Sequence, residues 1–378
     1  MIDANTIKSL LKGVDVEYKN LGEITRYEQP TKYLVDSTDY NDDFKTPVLT
    51  AGKTFILGYT NEIAGIYKAR NNPVIIFDDF TTAHKWVNFD FKVKSTAMKI
   101  ILSADEKKYH LKFVYYWLNT LPTEKSDNDH KRQWISNYTN KTIPIPSYPI
   151  QNKIVNILDK FTALTTELTT ELNARLNQYN YYRDKLLSFA EDEIEHKKLG
   201  DILVRTKGTK ITANEMKKIH KDKAEVKIFA GGKTFAFVDY EDIPLKNINK
   251  EPSIIVKSRG IIEFEFYDKP FSHKNEMWSY HSKNKNINIK YIYYYLKNKE
   301  KFFQQIGSKM QMPQISIPDT DGFVIPIPPL SKQKQIVEIL DKFDALTNSI
   351  TEGLPREIEL RQKQYEYYRN LLLDFPKS

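Results

Sequence analysis

The pentapeptide Ile157-Leu158-Asp159-Lys160-Phe161 returns letter for letter 182 positions later as Ile339-Leu340-Asp341-Lys342-Phe343. Each copy follows an Ile-Pro-Ile-Pro run (143–146 and 325–328). Each leads into a segment that ends in a tyrosine-rich tail, YYRDKLLSF (181–189) and YYRNLLLDF (367–375). A period near half of a 378-residue chain is far too long for a solenoid, so the sequence describes a duplicated two-module unit. Other anchors agree. VEYKNLGEI (16–24) answers IEHKKLGDI (194–202), AGKTF (51–55) answers GGKTF (231–235), and Pro73 with Ile75-Ile76 answers Pro252 with Ile254-Ile255.

The segments before each repeat carry short β-branched and aromatic stretches with period two, as in NPVIIFDDF and KWVNFDFKV in the first half and AEVKIFAGGKTFAFV and MWSYH in the second. One helix follows in each, over 107–121 and 289–303. These predict two similar mixed α/β heads. The repeats themselves carry apolar residues at steps of three or four (Phe161, Leu164, Leu168, Leu172, Leu176, Tyr179; Phe343, Leu346, Ile350, Leu354, Ile358), the stripe of a long helix packed along a partner. The expected α/β architecture is therefore two globular domains separated by two long antiparallel coiled-coil helices, pseudo-twofold. The first head spans 1–142 with a short N-terminal helix, a central helical spacer 143–190, the second head 191–324 and a C-terminal helical spacer 325–378. Pro149 is a first-turn proline and Ser331 a candidate N-cap.

The two helical segments differ in length. Tyr182 answers Tyr368 at an offset of 186, so the second carries four extra residues. The first holds a tandem tetrapeptide, Thr165-Thr166-Glu167-Leu168 then Thr169-Thr170-Glu171-Leu172. One such unit changes helix length by about 6 Å and rotates the far end by about 40°. Gly353-Leu354-Pro355 in the second predicts a kink or break. Rods of about 60 Å holding two heads apart suit the reading of two DNA half-sites across an unread gap.

Composition bears on the partner. A net charge of +8 and a pI near 9.0 favour a polyanion. The absence of cysteine excludes a disulfide scaffold, cysteine-ligated zinc and a thiol nucleophile. No signal peptide and no bilayer-spanning run is read, so no membrane partner is expected. AGKT and GGKT lack the first glycine of a phosphate-binding loop and read as hairpin turns. NNPV lacks the rest of an adenine-methylation motif, the acidic clusters lack a nuclease lysine, and the histidines show no metal spacing. No catalytic residue, metal site or cofactor site is assigned. Candidate DNA contacts are polar loop residues: Lys53, Thr81, Thr82, His84, Lys92, Lys94, Arg132, Gln133 and Trp134 in the first head, and Lys233, Ser258, Arg259, His273, Lys274, Ser308, Lys309, Gln311 and Gln314 in the second.

The run IPIPPLSKQKQIVEILDKFDALTNSI (325–350), its first copy (143–168), the YYR tails, GSKMQMPQIS (307–316) and PVIIFDDFTT (73–82) together resemble the specificity (S) subunit of type I restriction–modification systems. The TTEL tandem resembles the subgroup with four-residue repeats in the central helix. The resemblance implies that each head reads one half of an asymmetric bipartite target in double-stranded DNA. It implies that the helices set the spacing and dock two methyltransferase (M) subunits, which bind S-adenosylmethionine, and that motor-nuclease (R) subunits complete the assembly. On this reading the chain is not an enzyme and acts in a bacterial or archaeal cytoplasm. Asp159, Lys160, Asp341 and Lys342, outside the apolar stripe, then face the M subunits. Two other readings are a self-contained DNA methyltransferase or nuclease, and a coiled-coil scaffold that does not bind DNA.

Overall fold

The computed structural model describes residues 4–51, 54–122, 132–190, 194–308, 312–349 and 351–375. Lys53, Lys309 and Gln311 lie outside these residues. The chain forms two compact units, one of residues 1–168 with 357–378 and the other of 169–356. The division passes between the two TTEL tetrapeptides. Each helical spacer is thus shared between the units instead of forming a body of its own.

In the first unit the strand Val16–Asn20 pairs antiparallel with Thr142–Pro146, so the start and end of the head are tied together. Between them lie two sheets. One is a four-stranded antiparallel sheet in the order Thr25–Glu28, Met98–Ser103, Val74–Asp78, His84–Val87. The other is three-stranded, Ile56–Thr60, Thr46–Leu49, Lys92–Val93, with its last pair parallel. Val74–Asp78 is buried at every position, which explains why PVIIFD reads as a continuous apolar run. The helix Leu111–Leu118 covers this sheet. It buries Phe113, Val114, Tyr116, Trp117 and Leu118 together with Ile75, Phe77, Ile154 and Leu158.

The second unit repeats this plan. His196–Lys198 pairs with Val324–Pro326. The four-stranded order is Val204–Arg205, Trp278–His281, Ser253–Lys257, Glu263–Tyr267. The three-stranded order is Phe235–Val238, Val226–Phe229, Phe271–His273. The expected 289–303 helix is two helices, Ile289–Asn298 and Glu300–Gly307, and the first head's helix is shorter than the 107–121 expected.

The helix Tyr148–Leu186 runs unbroken for 39 residues, about 58 Å, with Pro149 in its first turn where no N–H partner is lost. Its first half packs in unit 1, where Phe161 stacks on Tyr368 at 5.3 Å. Its second half packs in unit 2, where Tyr182 stacks on Phe343 at 5.9 Å. The second spacer is two helices, Leu330–Thr347 and Gly353–Leu373. Ser331 lies inside the first of them and is not its N-cap, which is Pro329. Gly353 has a φ of +78°, and a Cβ there would sit 2.3 Å from the Ala345 carbonyl oxygen, so the break needs glycine. The four extra residues therefore fall around a non-helical link and do not lengthen a continuous rod. Beyond it the offset is 186. Arg175 bonds Glu171 and Gln178, while Arg361 bonds Glu357 and Gln364.

Candidate nucleic-acid interface

In each head the long hairpin of the four-stranded sheet ends in a turn that leans on a second segment. In the first head the turn joins Val74–Asp78 to His84–Val87. Asp78 shapes it. One carboxylate oxygen accepts the N–H groups of Phe80 and Thr81 at 3.0 and 3.3 Å, and the other accepts the Thr81 hydroxyl at 2.5 Å. Thr82 closes the turn with a φ of +61°, a left-handed value costly for a branched residue. Asp79 points inward. Its side chain accepts the Trp134 N–H and its carbonyl the Gln133 N–H, both at 2.8 Å, which seats the start of the helix Gln133–Ser136 beside the turn. Buried Lys99 lies 3.4 Å from the other Asp79 oxygen and balances its charge. Phe80, Thr81 and Arg132 remain exposed.

The second head builds the same junction from other residues. Its hairpin joins Ser253–Lys257 to Glu263–Tyr267. The Ser258 carbonyl accepts the Ile315 N–H at 3.0 Å, Gly260 donates to the Pro313 carbonyl at 2.9 Å, and Arg259 bridges to Gln314. Gly260 takes the left-handed conformation, with a φ of +74°. Arg259, Ile261, Met312 and Ser308 are exposed. Below the turn Lys257 binds both Glu263 and Glu265, at 2.7 and 2.8 Å. Burial opposes both charges, but the pairing outweighs it and holds Lys257 above and Glu265 below their ordinary values.

The structure thus brings Thr81, Arg132 and Gln133 together in one head, and Arg259, Ser308 and Gln314 in the other. A second patch forms beside each three-stranded sheet. Exposed Lys94 donates its N–H to the Leu49 carbonyl, at the foot of the 50–55 turn. Lys274 donates equivalently to Phe229, at the foot of the turn that carries exposed Lys233. The Lys274 ammonium pairs with Glu276.

Other candidates turn inward. Lys92 is buried, with its ammonium on Glu62 and 2.9 Å from the Ala64 carbonyl oxygen. Trp134 is a core residue against Phe77. The Thr82 and Ser258 side chains are buried, and the Ser258 hydroxyl donates to the Glu276 carbonyl at 2.9 Å. His273 is fully buried, 2.9 Å from the Thr206 hydroxyl, and burial lowers its pKa. His84 is mostly enclosed beside Phe77, with its pKa lowered by burial. Lys92 and His273 lie in strands of two and three residues buried at every position, too short for local sequence to mark them as core.

The repeated pentapeptide also turns out differently. Asp159 accepts the Tyr116 hydroxyl and pairs with Lys112 at 2.8 Å. Asp341 accepts the Tyr294 hydroxyl at 2.5 Å and pairs with Lys290 at 2.8 Å. Burial, then the aspartate, pushes both tyrosine pKa values far up. These aspartates bind their own head, and their side chains remain 36% exposed. Lys160 is exposed, and exposed Lys342 pairs along its helix with Glu338 at 2.9 Å.

A buried glutamine eight residues earlier, which the sequence reading passed over, completes each joint. Gln151 donates to the Pro146 and Lys108 carbonyls and accepts the His110 N–H. Gln333 donates to the Pro328 and Asn286 carbonyls and accepts the Asn288 N–H. The identical spacing in both copies was the available signal.

Among the described residues no group of three or more His, Cys, Asp or Glu is placed to hold a metal ion. No described helix is long and apolar enough to cross a membrane.

A specificity subunit of the type I restriction enzyme EcoR124I/EcoR124II from Escherichia coli is 51% identical over 100% of this chain and 98% of its own length. A putative type I restriction enzyme specificity subunit from Haemophilus influenzae is 30% identical over 98% of both chains. The crystal structure of a type I restriction–modification S subunit from M. genitalium superposes with a TM-score of 0.68 over 97% of this chain and 98% of that one, at 16% identity. The model of the type I restriction modification DNA specificity domain matches twice, over 13–178 and 191–360, each match taking in one head and the helix that follows it; the chain belongs to that family.

Proposed function

We propose that this chain is the specificity subunit of a type I restriction–modification complex and supplies the address, not the chemistry. Each head reads one half of a bipartite, asymmetric target in duplex DNA through its hairpin junction. The exposed lysines beside the shorter sheets meet phosphates. The 39-residue helix sets the length of the unread gap. Two M subunits, which carry S-adenosylmethionine, dock on the helical spacers, and R subunits complete the complex in a bacterial or archaeal cytoplasm.

One observation carries this reading. The joints that hold head to helix use the same residues in both halves, whereas the hairpin junctions share a backbone plan and differ in every exposed side chain. Exposed Phe80 stands where Arg259 stands, exposed Thr81 where Gly260 stands, and Arg132 where half-buried Gln314 stands. Two heads of one fold with unlike tips suit an asymmetric bipartite site.

The test is to map methylated adenines in DNA from cells that carry this chain and its M partner. The expected result is a single motif of two unlike half-sites with a fixed gap. Methylation without such a motif would overturn the proposal. Stoichiometric binding of S-adenosylmethionine to the isolated chain would point instead to a self-contained methyltransferase.

A further inference from the structure

Lys112 and Lys290 occupy the same place in the two heads. Each is the second residue of its helix, Leu111–Leu118 or Ile289–Asn298, and its backbone N–H is held by the capping side chain, His110 Nδ1 at 3.3 Å or Asn288 Oδ1 at 3.0 Å. That capping residue is in turn gripped by Gln151 or Gln333 of the spacer helix. From this fixed point each ammonium reaches in two directions. On one side it meets the spacer aspartate at 2.8 Å, Asp159 or Asp341. On the other it lies over an aromatic ring of the long hairpin, Trp86 at 5.4 Å or Phe266 at 5.3 Å. Those rings stand on the strands His84–Val87 and Glu263–Tyr267, which run from the hairpin turns described above.

A cation in the first turn of a helix opposes the helix dipole, where stability alone would favour an acid. That both heads place lysine there, each time between the same two partners, argues for a purpose other than holding the helix. We propose that Lys112 and Lys290 are positioning residues that register each reading hairpin on the spacer helix, so that each tip meets its half-site at a fixed distance along the DNA. The proposal rests on the reading of the heads as DNA-recognition modules.

The test uses the complex of the full chain with its M partner. Lys112→Gln and Lys290→Gln keep much of the side-chain length and remove the charge. Target libraries vary one half-site at a time and the gap by one base pair either way. Lys112→Gln is expected to lower discrimination at the first head's half-site about tenfold, leave the other half-site unchanged and widen the tolerated gap. Lys290→Gln is expected to do the converse. Arginine at either position should restore much of the discrimination, and the thermal midpoints should stay near wild type. A wild-type preference that the variants leave unaltered, or lower equally at both halves, overturns this proposal alone. A wild-type complex with no bipartite preference overturns the reading beneath it as well.

Discussion

The side-chain oxygen of Gln333 accepts the backbone N–H of Asn288 at 2.8 Å, while its amide nitrogen donates to Pro328 and Asn286. One buried amide therefore joins the strand that leaves the head, the spacer helix and the cap of the head's own helix. Gln333→Ala removes the partner of three main-chain groups, the Pro328 carbonyl among them buried. A loss of about 2–4 kcal/mol in urea unfolding is expected, and Gln151→Ala should cost a similar amount. A loss within the scatter of ordinary surface substitutions would remove the joint from the account.

Arg259 is exposed at the tip of the second hairpin, where its backbone bridges to Gln314. Arg259→Ala should leave the thermal midpoint in place. In methylation assays it should weaken or relax reading of one half-site by about 1–3 kcal/mol, with the other half untouched.

Deleting Thr169–Leu172 removes one tetrapeptide from an uninterrupted helix, about 6 Å and about 40° of rotation. The expected outcome is a shorter unread gap between the same two half-sites, seen in the map of methylated adenines. An unchanged gap would refute the helix as the measuring element.

His273 is buried, and burial holds its pKa below the ordinary 6.5. The unfolded chain then takes up a proton more readily than the folded one. The associated stability is present above pH 6.5 and is lost as pH falls through the depressed folded value. His84 and His110 shift the same way through burial. Urea midpoints should fall between pH 7 and pH 5, and His273→Gln should flatten that fall without abolishing it.

Lys92→Met strips Glu62 of its buried cation. Burial would raise the Glu62 carboxyl; the hydrogen bond to Lys92 and those from the Ser37 and Asp36 N–H groups keep it low. The substitution should destabilise the chain by about 2–4 kcal/mol and leave the recognised sequence unchanged. A changed target would restore Lys92 to the reading surface.

The repeat made the duplicated plan legible, down to the break before Leu354-Pro355. Patterned strands such as VIIFD and the hairpin turn at GGKTF were legible too, because burial and turn chemistry leave local marks. The roles of Asp159 and Asp341 were not. Their position off the apolar stripe suggested a free surface, but Tyr116 and Tyr294 reach them from residues more than forty positions away in sequence. Lys92 and His273 misled for a related reason. Strands of two or three residues give too short a pattern to show which face is inward, so a polar residue there reads as a loop residue. Asp79 was passed over as one of an acidic pair, though it seats the start of the helix that follows Arg132.

The joint built from Gln151 and Asp159, and again from Gln333 and Asp341, has a consequence for how such a molecule changes over generations. Its acceptors and donors on the head are main-chain groups, a tyrosine hydroxyl and one lysine, all remote from the tips. The glutamines, whose loss endangers folding, are therefore different positions from the exposed tip residues whose substitution rewrites the address. Mutation can explore new targets one half at a time while the attachment that keeps the halves in register stays as it was.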